Sequence, residues 1–175
     1  MITKHGEFLN VADTGVLITG DSGIGKSELA LELIKRGHQL VADDIVELTK
    51  KDDKIVGHCP ELLQDFLEVR GIGILNIRKM YGSKVITPTK NVELIIHFER
   101  YDSAIVMGVD RIDGDHSVET IHGIDIAKVT IPVAIGRNLA IILEAAVRNH
   151  QLLQQGYDAK EDFVGKQRRM LESKS

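Results

Sequence analysis

The stretch Gly20-Asp21-Ser22-Gly23-Ile24-Gly25-Lys26-Ser27 constrains the fold more than any other part of the chain. The apolar run before it, residues 15–19, is typical of a short buried strand, and the apolar spacing of residues 28–36 predicts a helix. A glycine-rich loop that ends in Lys-Ser between a strand and a helix is the arrangement of a phosphate-binding P-loop. The alternative is a glycine-rich turn before an ordinary helix. The P-loop is favoured because the strand, the glycines, the Lys-Ser pair and the helix follow one another in the order that the motif requires.

Each part of this loop has a physical role in binding a polyphosphate. The glycines allow backbone conformations that are closed to other residues, so successive N–H groups can point at a ligand. The N-terminus of the following helix adds partial positive charge and unpaired donors. We expect Lys26 to reach the outer phosphates and the Ser27 hydroxyl to bind Mg²⁺. The loop predicts a nucleoside triphosphate or another polyphosphate, and it leaves the acceptor of the phosphoryl group open.

The composition fits one soluble globular domain. Of the 175 residues, 43% are hydrophobic and 27% are charged, which permits a substantial core. A net charge of −4 argues against a general nucleic-acid binder. No apolar run approaches the roughly 20 residues of a membrane span, and the N-terminus lacks the apolar core of a signal peptide. The single cysteine, Cys59, fits a reducing cytoplasm, and we interpret it as a small packing residue rather than a catalytic thiol.

Two adjacent carboxylates, Asp43 and Asp44, interrupt an apolar run that predicts a buried strand over residues 39–48. Because an unpaired buried acid is costly, we expect these side chains to emerge beside a cation or a reactive group. One of them can hold a metal ion, directly or through water, while the other takes a proton from an incoming hydroxyl. The alternative is a charged bulge in the strand.

Glu68 and Arg70 form a second candidate pair, just before the glycines Gly71 and Gly73. In an extended segment, two side chains with this spacing lie on one face, where they can meet a metal–phosphate cluster. An ordinary surface ion pair is the alternative. His5 would lie near the end of the sheet, and on spacing alone an exposed histidine indicates no particular function.

The remaining sequence predicts a sheet-rich α/β domain. Residues 1–14 predict a strand that turns at Asp13-Thr14 and returns into the P-loop strand, which makes a hairpin edge. The other expected elements are a hairpin tip at 49–54, a helix at 61–67, an extended segment at 68–76, a short helix at 77–81, strands at 92–99 and 124–133, a polar loop at 100–116, and helices at 139–153 and 157–170. An arginine in a loop such as 100–116 is suited to neutralising transferred charge.

Several of these segments together resemble the C-terminal catalytic domain of the HPr kinase/phosphorylase family, bacterial enzymes that phosphorylate a serine of the phosphocarrier protein HPr and remove that phosphate. The segments that carry the resemblance are His5-Gly6, residues 15–34, 37–44 and 62–77, the pair Asp110-Arg111, and residues 131–149 and 156–163. The resemblance implies a P-loop kinase-like α/β core, mostly β-sheet, with a P-loop helix and C-terminal helices. It implies that residues 1–175 are one catalytic domain, without the N-terminal domain of full-length members.

The resemblance also implies roles for single residues. Gly20 to Ser27 would bind ATP, and Ser27 and Glu68 would coordinate Mg²⁺. Asp44 would accept a proton during phosphorylation and donate it in the reverse direction, in which inorganic phosphate attacks phosphoserine and gives pyrophosphate. Pyrophosphate resembles the β,γ end of ATP, so a P-loop suits it. The other active-site residues that the resemblance implies are His5, Lys26, Asp43, Arg70, Gly71, Arg111 and, in a loop associated with dephosphorylation, Pro132, Gly136 and Arg137.

A partner and an assembly follow from the same resemblance. HPr would be the protein substrate in the cytoplasm, and the activity would regulate carbon metabolism and the sugar phosphotransferase system. Family members form homo-hexamers whose C-terminal helix helps to hold HPr, and no nucleic acid or membrane partner is expected. Two other functions stay open: a P-loop kinase for a small metabolite or nucleotide, and a nucleotide-binding regulatory module without transfer activity. The intact set of Lys26, Ser27, Asp44 and Glu68 argues against the module.

Overall fold

The computed structural model describes residues 1–100, 114–134 and 136–174 of the chain. Within these ranges the fold is mixed α/β with mostly strands, as the sequence predicts. The strands are β1 (Ile2–His5), β2 (Glu7–Val11), β3 (Thr14–Gly20), β4 (Gln39–Ala42), β5 (Ile45–Lys51), β6 (Lys54–His58), β7 (Phe66–Val69), β8 (Gly73–Asn76), β9 (Thr89–Asn91), β10 (Leu94–Arg100), β11 (Asp115–Ile121) and β12 (Ile124–Val133). The α-helices are α1 (Lys26–Lys35), α2 (Ile77–Tyr81), α3 (Leu139–Gln154) and α4 (Ala159–Ser173), and Glu61–Leu63 and Ser83–Val85 are 3₁₀ turns.

A six-stranded sheet with the order β11-β12-β10-β3-β2-β4 forms the centre of the domain. β10 runs parallel to both β3 and β12, whereas β2 is antiparallel to both β3 and β4. As a result, β3, β4, β10 and β12 all end at the same edge of the sheet, and β2 begins there. The P-loop follows β3, so it lies at this edge.

The alternation of side chains along the central strands builds a core on each face of this sheet. On one face, Leu9, Ile18 and Ile96 pack with the buried side of α1 and α3. On the other face, Phe8, Leu17 and Ile95 pack with residues of the second sheet, namely Val46, Leu48 and Ile55. That second sheet has the order β1-β5-β6-β9, and β7 and β8 form a separate hairpin.

Two strands expected to be continuous are each broken where the chain passes from one sheet to the other. The N-terminal strand divides at Gly6 into β1 and β2, and the strand predicted over 39–48 divides at Asp43-Asp44 into β4 and β5. The breaks are adjacent, because the Gly6 N–H donates to the Asp44 carbonyl at 3.0 Å. At Gly6 a Cβ would lie 2.4 Å from the Ile18 carbonyl oxygen, so this crossing needs a glycine.

The helix predicted over residues 61–67 is wrong. Only Glu61–Leu63 form a 3₁₀ turn, and Asp65 has a φ of 75°, which ends any helical path. Residues 66–69 are the strand β7, whose alternation buries Leu67 and Val69. The loop predicted over 100–116 also ends earlier than expected, since β11 begins at Asp115, and residues 101–113 of that prediction lie outside the described ranges.

The two C-terminal helices differ in how much of their surface is buried against the rest of the domain. α3 begins at an Asn138 cap, whose side chain accepts from the Ile141 N–H at 3.2 Å, and it buries Ala140, Leu143 and Val147. α4 has no buried residue, and Phe163, Met170 and Leu171 on it are exposed. In the part of the chain that the structure describes, no helix has the length and apolar character needed to cross a membrane.

Candidate functional site

The P-loop connects β3 to α1 through glycines whose backbone is in the left-handed region. Gly23 has a φ of 86° and Gly25, which precedes the first residue of α1, has a φ of 101°. These conformations strain any residue with a Cβ. Lys26 Nζ donates to the carbonyl oxygens of Gly20 at 2.6 Å and Asp21 at 3.0 Å, so its ammonium group contacts the backbone of the P-loop.

A cavity of about 640 Å³ opens over this loop. Most of the site residues predicted from the sequence line this cavity, because β2, β4 and the β7–β8 hairpin all reach the same edge of the sheet. The residues that line it are His5, Gly6, Glu7, Gly20, Ser22, Gly23, Gly25, Lys26, Ser27, Glu28, Asp43, Asp44, Glu68 and Arg70.

The two adjacent aspartates have different environments. Asp43 is only 9% exposed, and its Oδ2 accepts from the backbone N–H of Glu68 at 2.8 Å. The side chain of Asp44 is 72% exposed and faces the cavity. Asp44 has a φ of 65°, and the Ile45 N–H donates to the Asp43 carbonyl at 2.7 Å, so the pair forms a γ-turn of the rare, strained kind. The turn holds one carboxylate inside and presents the other to solvent.

His5 lies beside the exposed aspartate. Its Nδ1 is 3.8 Å from Asp44 Oδ1, and its side chain is 85% exposed. The contact arises from the sheet register, because His5 pairs with Ile45 across β1 and β5. The imidazole is therefore close enough to contact the same reacting group as the Asp44 carboxylate.

Glu68 and Arg70 share one face of the β7–β8 hairpin, as their spacing predicts. Leu67 and Val69 point into the core, and the two charged side chains lie on the opposite side, on the cavity. The bond from the Glu68 N–H to Asp43 ties this hairpin to the end of β4. No ion pair between Glu68 and Arg70 occurs among the described residues, so the surface ion pair expected as the alternative is not formed.

Glu7, which is absent from the residues predicted from the sequence, lines the cavity at the start of β2 and is 3% exposed. Burial and the neighbouring Asp43 carboxylate raise the pKa of Glu7 from 4.5 to about 10. Glu7 Oε2 has no hydrogen-bond partner among the described residues, and a raised pKa favours the neutral, protonated form of such a buried carboxyl group. The signal was available, since Glu7 is an acid in an apolar strand, the same pattern that singled out Asp43 and Asp44.

Other nominated residues do not line the cavity. Asp21 and Ile24 turn within the P-loop, where the Ile24 N–H donates to the Asp21 carbonyl at 3.2 Å, and Gly71 forms the β7–β8 turn with a φ of 92°. Pro132, near the end of β12, and Gly136 and Arg137, which follow that strand, also stay off the cavity lining. Arg137 Nη1 donates to the Pro132 carbonyl at 2.8 Å. Arg111 lies outside the described residues.

The cavity combines the two kinds of group that phosphoryl transfer requires. Lys26 and Arg70 supply positive charge for phosphate oxygens, and the loop glycines supply backbone donors. Asp44 supplies an accessible carboxylate that can exchange a proton with an incoming group. Across the described residues, no three His, Cys, Asp or Glu side chains form a metal-binding group.

Comparison with known proteins agrees with this chemistry. The sequence model of the HPr serine kinase C-terminal domain matches residues 1–167. The HPr kinase/phosphorylase of Nitrosomonas europaea is 51% identical over 164 residues, covering 93% of this chain and 51% of the relative. That of Chromobacterium violaceum is 51% identical over 161 residues, covering 91% of this chain and 51% of the relative. The chain spans about half the length of the curated relatives it matches.

A solved structure shows the same fold. The HPr(Ser) kinase/phosphatase from Coxiella burnetii superposes with a TM-score of 0.85 at 37% identity, covering 93% of this chain and 98% of that one. The family match extends over nearly all of the sequence, and the P-loop, the aspartate pair and Glu68 all lie within it. The chain therefore belongs to the HPr serine kinase C-terminal domain family.

Proposed function

We propose that this chain uses ATP to phosphorylate a serine of HPr and, in reverse, uses inorganic phosphate to remove that phosphate as pyrophosphate. The observation that carries the proposal is the exposed Asp44 carboxylate, which shares one cavity with Lys26 and Ser27 of the P-loop. The relatives named HPr kinase/phosphorylase support the choice of substrate.

In the forward reaction, Asp44 accepts the proton of the seryl hydroxyl while the hydroxyl oxygen attacks the γ-phosphorus of ATP. The bond between the γ-phosphorus and the bridging oxygen breaks, and ADP leaves with that bonding pair. Lys26 Nζ exchanges the carbonyls of Gly20 and Asp21 for phosphate oxygens and offsets their negative charge. His5, at 3.8 Å from Asp44, orients the carboxylate and the incoming serine.

In the reverse reaction, an oxygen of inorganic phosphate attacks the phosphorus of phosphoserine. The serine oxygen leaves and takes the proton from Asp44, so the products are HPr and pyrophosphate. The P-loop binds pyrophosphate as it binds the terminal phosphates of ATP, through the same backbone donors and Lys26. The same P-loop and the same Asp44 carboxylate therefore act in both directions of the reaction.

Ser27 and Glu68 are the residues we propose for Mg²⁺. A hydroxyl and a carboxylate on one cavity suit Mg²⁺, which takes few protein ligands and fills its other positions with water and phosphate oxygens. The bond between Asp43 and the Glu68 N–H fixes the backbone from which the Glu68 carboxylate projects. When bound, Mg²⁺ would neutralise phosphate charge. Asp43 acts on this site by holding Glu68 in place.

We further propose that the chain is a single catalytic domain that works in the cytoplasm as a homo-hexamer. The apolar side chains exposed on α4, which buries no residue against its own subunit, support contact with another protein surface. Light scattering of the purified chain tests the assembly. A mass of six chains supports it, and a monomer at all concentrations contradicts it.

The activity is tested with γ-labelled ATP, Mg²⁺ and purified HPr. We expect label on a serine of HPr, and Asp44→Asn should reduce its rate by about 10²–10⁴-fold while ATP binding is retained. Asn suits this test because it tolerates the positive φ of residue 44. Asp53→Asn, at the tip between β5 and β6, is the matched control and should keep the wild-type rate.

Three outcomes would contradict the proposal. ATP binding without label on HPr removes HPr as the acceptor. Label on a metabolite or nucleotide instead identifies a small-molecule kinase. Nucleotide binding with no turnover toward any acceptor identifies a regulatory module.

A further inference from the structure

Arg100, the first residue of the loop predicted over 100–116, lies beside the P-loop. It is the last residue of β10, whose Phe98 pairs with Gly20 at the end of β3. β10 therefore continues past the point at which β3 turns into the P-loop. The Arg100 Nη2 donates to the Ser22 carbonyl at 3.3 Å, so its guanidinium group contacts the loop backbone.

Arg70 approaches the same part of the loop from a different element. A Cβ placed on Gly23 would lie 3.6 Å from Arg100 Nη2 and 3.8 Å from Arg70 Nη1. The two guanidinium groups thus face one glycine, Arg100 from the end of β10 and Arg70 from the β7–β8 hairpin. Within the described parts of the chain, neither guanidinium forms an ion pair with a carboxylate.

Two like charges at one point of a loop repel each other, and an anion between them removes that repulsion. Guanidinium groups fit phosphate oxygens through paired hydrogen bonds, which an ammonium group cannot reproduce. Gly23 has no side chain to separate the guanidinium groups from a ligand on the loop. The contact at 3.3 Å to Ser22 is long for a hydrogen bond, so exchanging it for a phosphate oxygen costs little.

We propose that Arg100 is a phosphate-binding residue, which with Arg70 contacts the polyphosphate held by the P-loop. The inference rests on the proposed function, because it concerns the same nucleotide site. It adds a cation from β10, the strand between the P-loop strand and β12, so three elements surround the phosphates. In the register of β10 with β12, Arg100 pairs with Val133 and therefore also adjoins the segment that follows β12.

Calorimetric binding of pyrophosphate to the full chain, with Mg²⁺ present, tests this inference without HPr. Arg100→Ala should raise the Kd for pyrophosphate about tenfold or more, as expected for one charge-assisted phosphate contact. Arg100→Lys keeps the charge and should recover part of the affinity. Arg148→Ala, on the exposed side of α3, is the matched arginine control and should stay within about twofold of wild type.

A third variant separates phosphate binding from simple support of the loop. Arg100→Gln keeps an amide donor on a shorter polar side chain but loses the charge, so it should bind pyrophosphate as weakly as Arg100→Ala. Wild-type affinity in Arg100→Gln would show that the residue only braces the loop, and wild-type affinity in Arg100→Ala would exclude any role. A wild-type chain that binds no pyrophosphate would also overturn the inference. Arg100-dependent binding in a chain that does not phosphorylate HPr would leave the inference standing and remove the proposed function.

Discussion

The Asp43 carboxylate accepts a hydrogen bond from the Glu68 N–H at 2.8 Å, although 25 positions separate the two residues. This bond joins the end of β4 to the β7–β8 hairpin, and it places two proposed functions side by side. Glu68, the proposed Mg²⁺ ligand, and Asp44, the proposed base and the next residue after Asp43, both line the same cavity. The buried Asp43 carboxylate thus fixes the position of the Glu68 backbone relative to that of Asp44.

Replacing this buried carboxylate should destabilise the fold. Asp43→Ala leaves the Glu68 N–H without its acceptor in a site that is almost closed to solvent, and we expect a loss of about 1–3 kcal/mol in the free energy of unfolding. Asp44→Ala removes only an exposed carboxylate, so its own loss should be smaller, although alanine at a φ of 65° adds some strain. Urea denaturation of the two variants checks the order, and equal losses would contradict it.

Glu7 predicts a pH dependence of stability. The pKa of Glu7 is raised from 4.5 to about 10 by burial and by Asp43, so between these values the folded chain keeps a proton that the unfolded chain has lost. The folded state then binds more protons than the unfolded state, and stability falls as the pH rises through that window. Below pH about 4.5 both states are protonated and Glu7 has no effect.

Glu7→Gln removes this dependence because an amide keeps its donor at every pH. The melting temperature of the variant should exceed that of wild type by about 5 °C or more at pH 9, with a much smaller difference at pH 5. Thermal denaturation followed by circular dichroism at both values measures the effect. A difference that is the same at pH 5 and pH 9 would show that Glu7 titrates normally.

If Glu68 binds Mg²⁺, replacing it should change the Mg²⁺ requirement of the reaction more than its KM for ATP. Glu68→Gln weakens the oxygen donor, so the Mg²⁺ concentration for half-maximal phosphorylation should rise about tenfold or more, while the KM for ATP at saturating Mg²⁺ changes little. Glu32→Gln, on the exposed side of α1, is the matched control. A rise in the KM for ATP without a change in the Mg²⁺ requirement would place Glu68 elsewhere in the mechanism.

Packing between the two sheets predicts a stability effect that is independent of function. A Cβ on Gly57 of β6 would lie 2.4 Å from Phe8 Cε2, and Phe8 is fully buried, so Gly57→Ala should cost about 1–3 kcal/mol. Gly165→Ala is the control, because its Cβ meets only Arg169 at 3.6 Å and alanine favours a helix interior. Denaturant titration should show the first variant destabilised and the second unchanged or slightly more stable.

Features encoded by local sequence were predicted closely. The strand at 124–133 has the predicted bounds, and the helix predicted over 139–153 ends one residue later, because apolar periodicity and terminal residues determine both. The P-loop was equally clear, since strand, glycines, Lys-Ser and helix lie in one continuous stretch.

The errors occur where pairing between distant segments determines the backbone conformation. The breaks at Gly6 and Asp43-Asp44 exist because adjoining segments pair in different sheets, which no local pattern reveals. The helix predicted over residues 61–67 overlaps the first two residues of β7, because the burial of Leu67 and Val69 in alternation depends on packing against the core.

The most direct test of a single carboxylate serving both directions is phosphorolysis of phosphoserine-HPr. The purified chain is incubated with phosphoserine-HPr and inorganic phosphate, and pyrophosphate and dephosphorylated HPr are both quantified. The account predicts equal amounts of the two products, and it predicts that Asp44→Asn lowers their formation by about 10²–10⁴-fold, as in the forward reaction. Release of phosphate without pyrophosphate, or pyrophosphate formation that Asp44→Asn leaves unchanged, would contradict it.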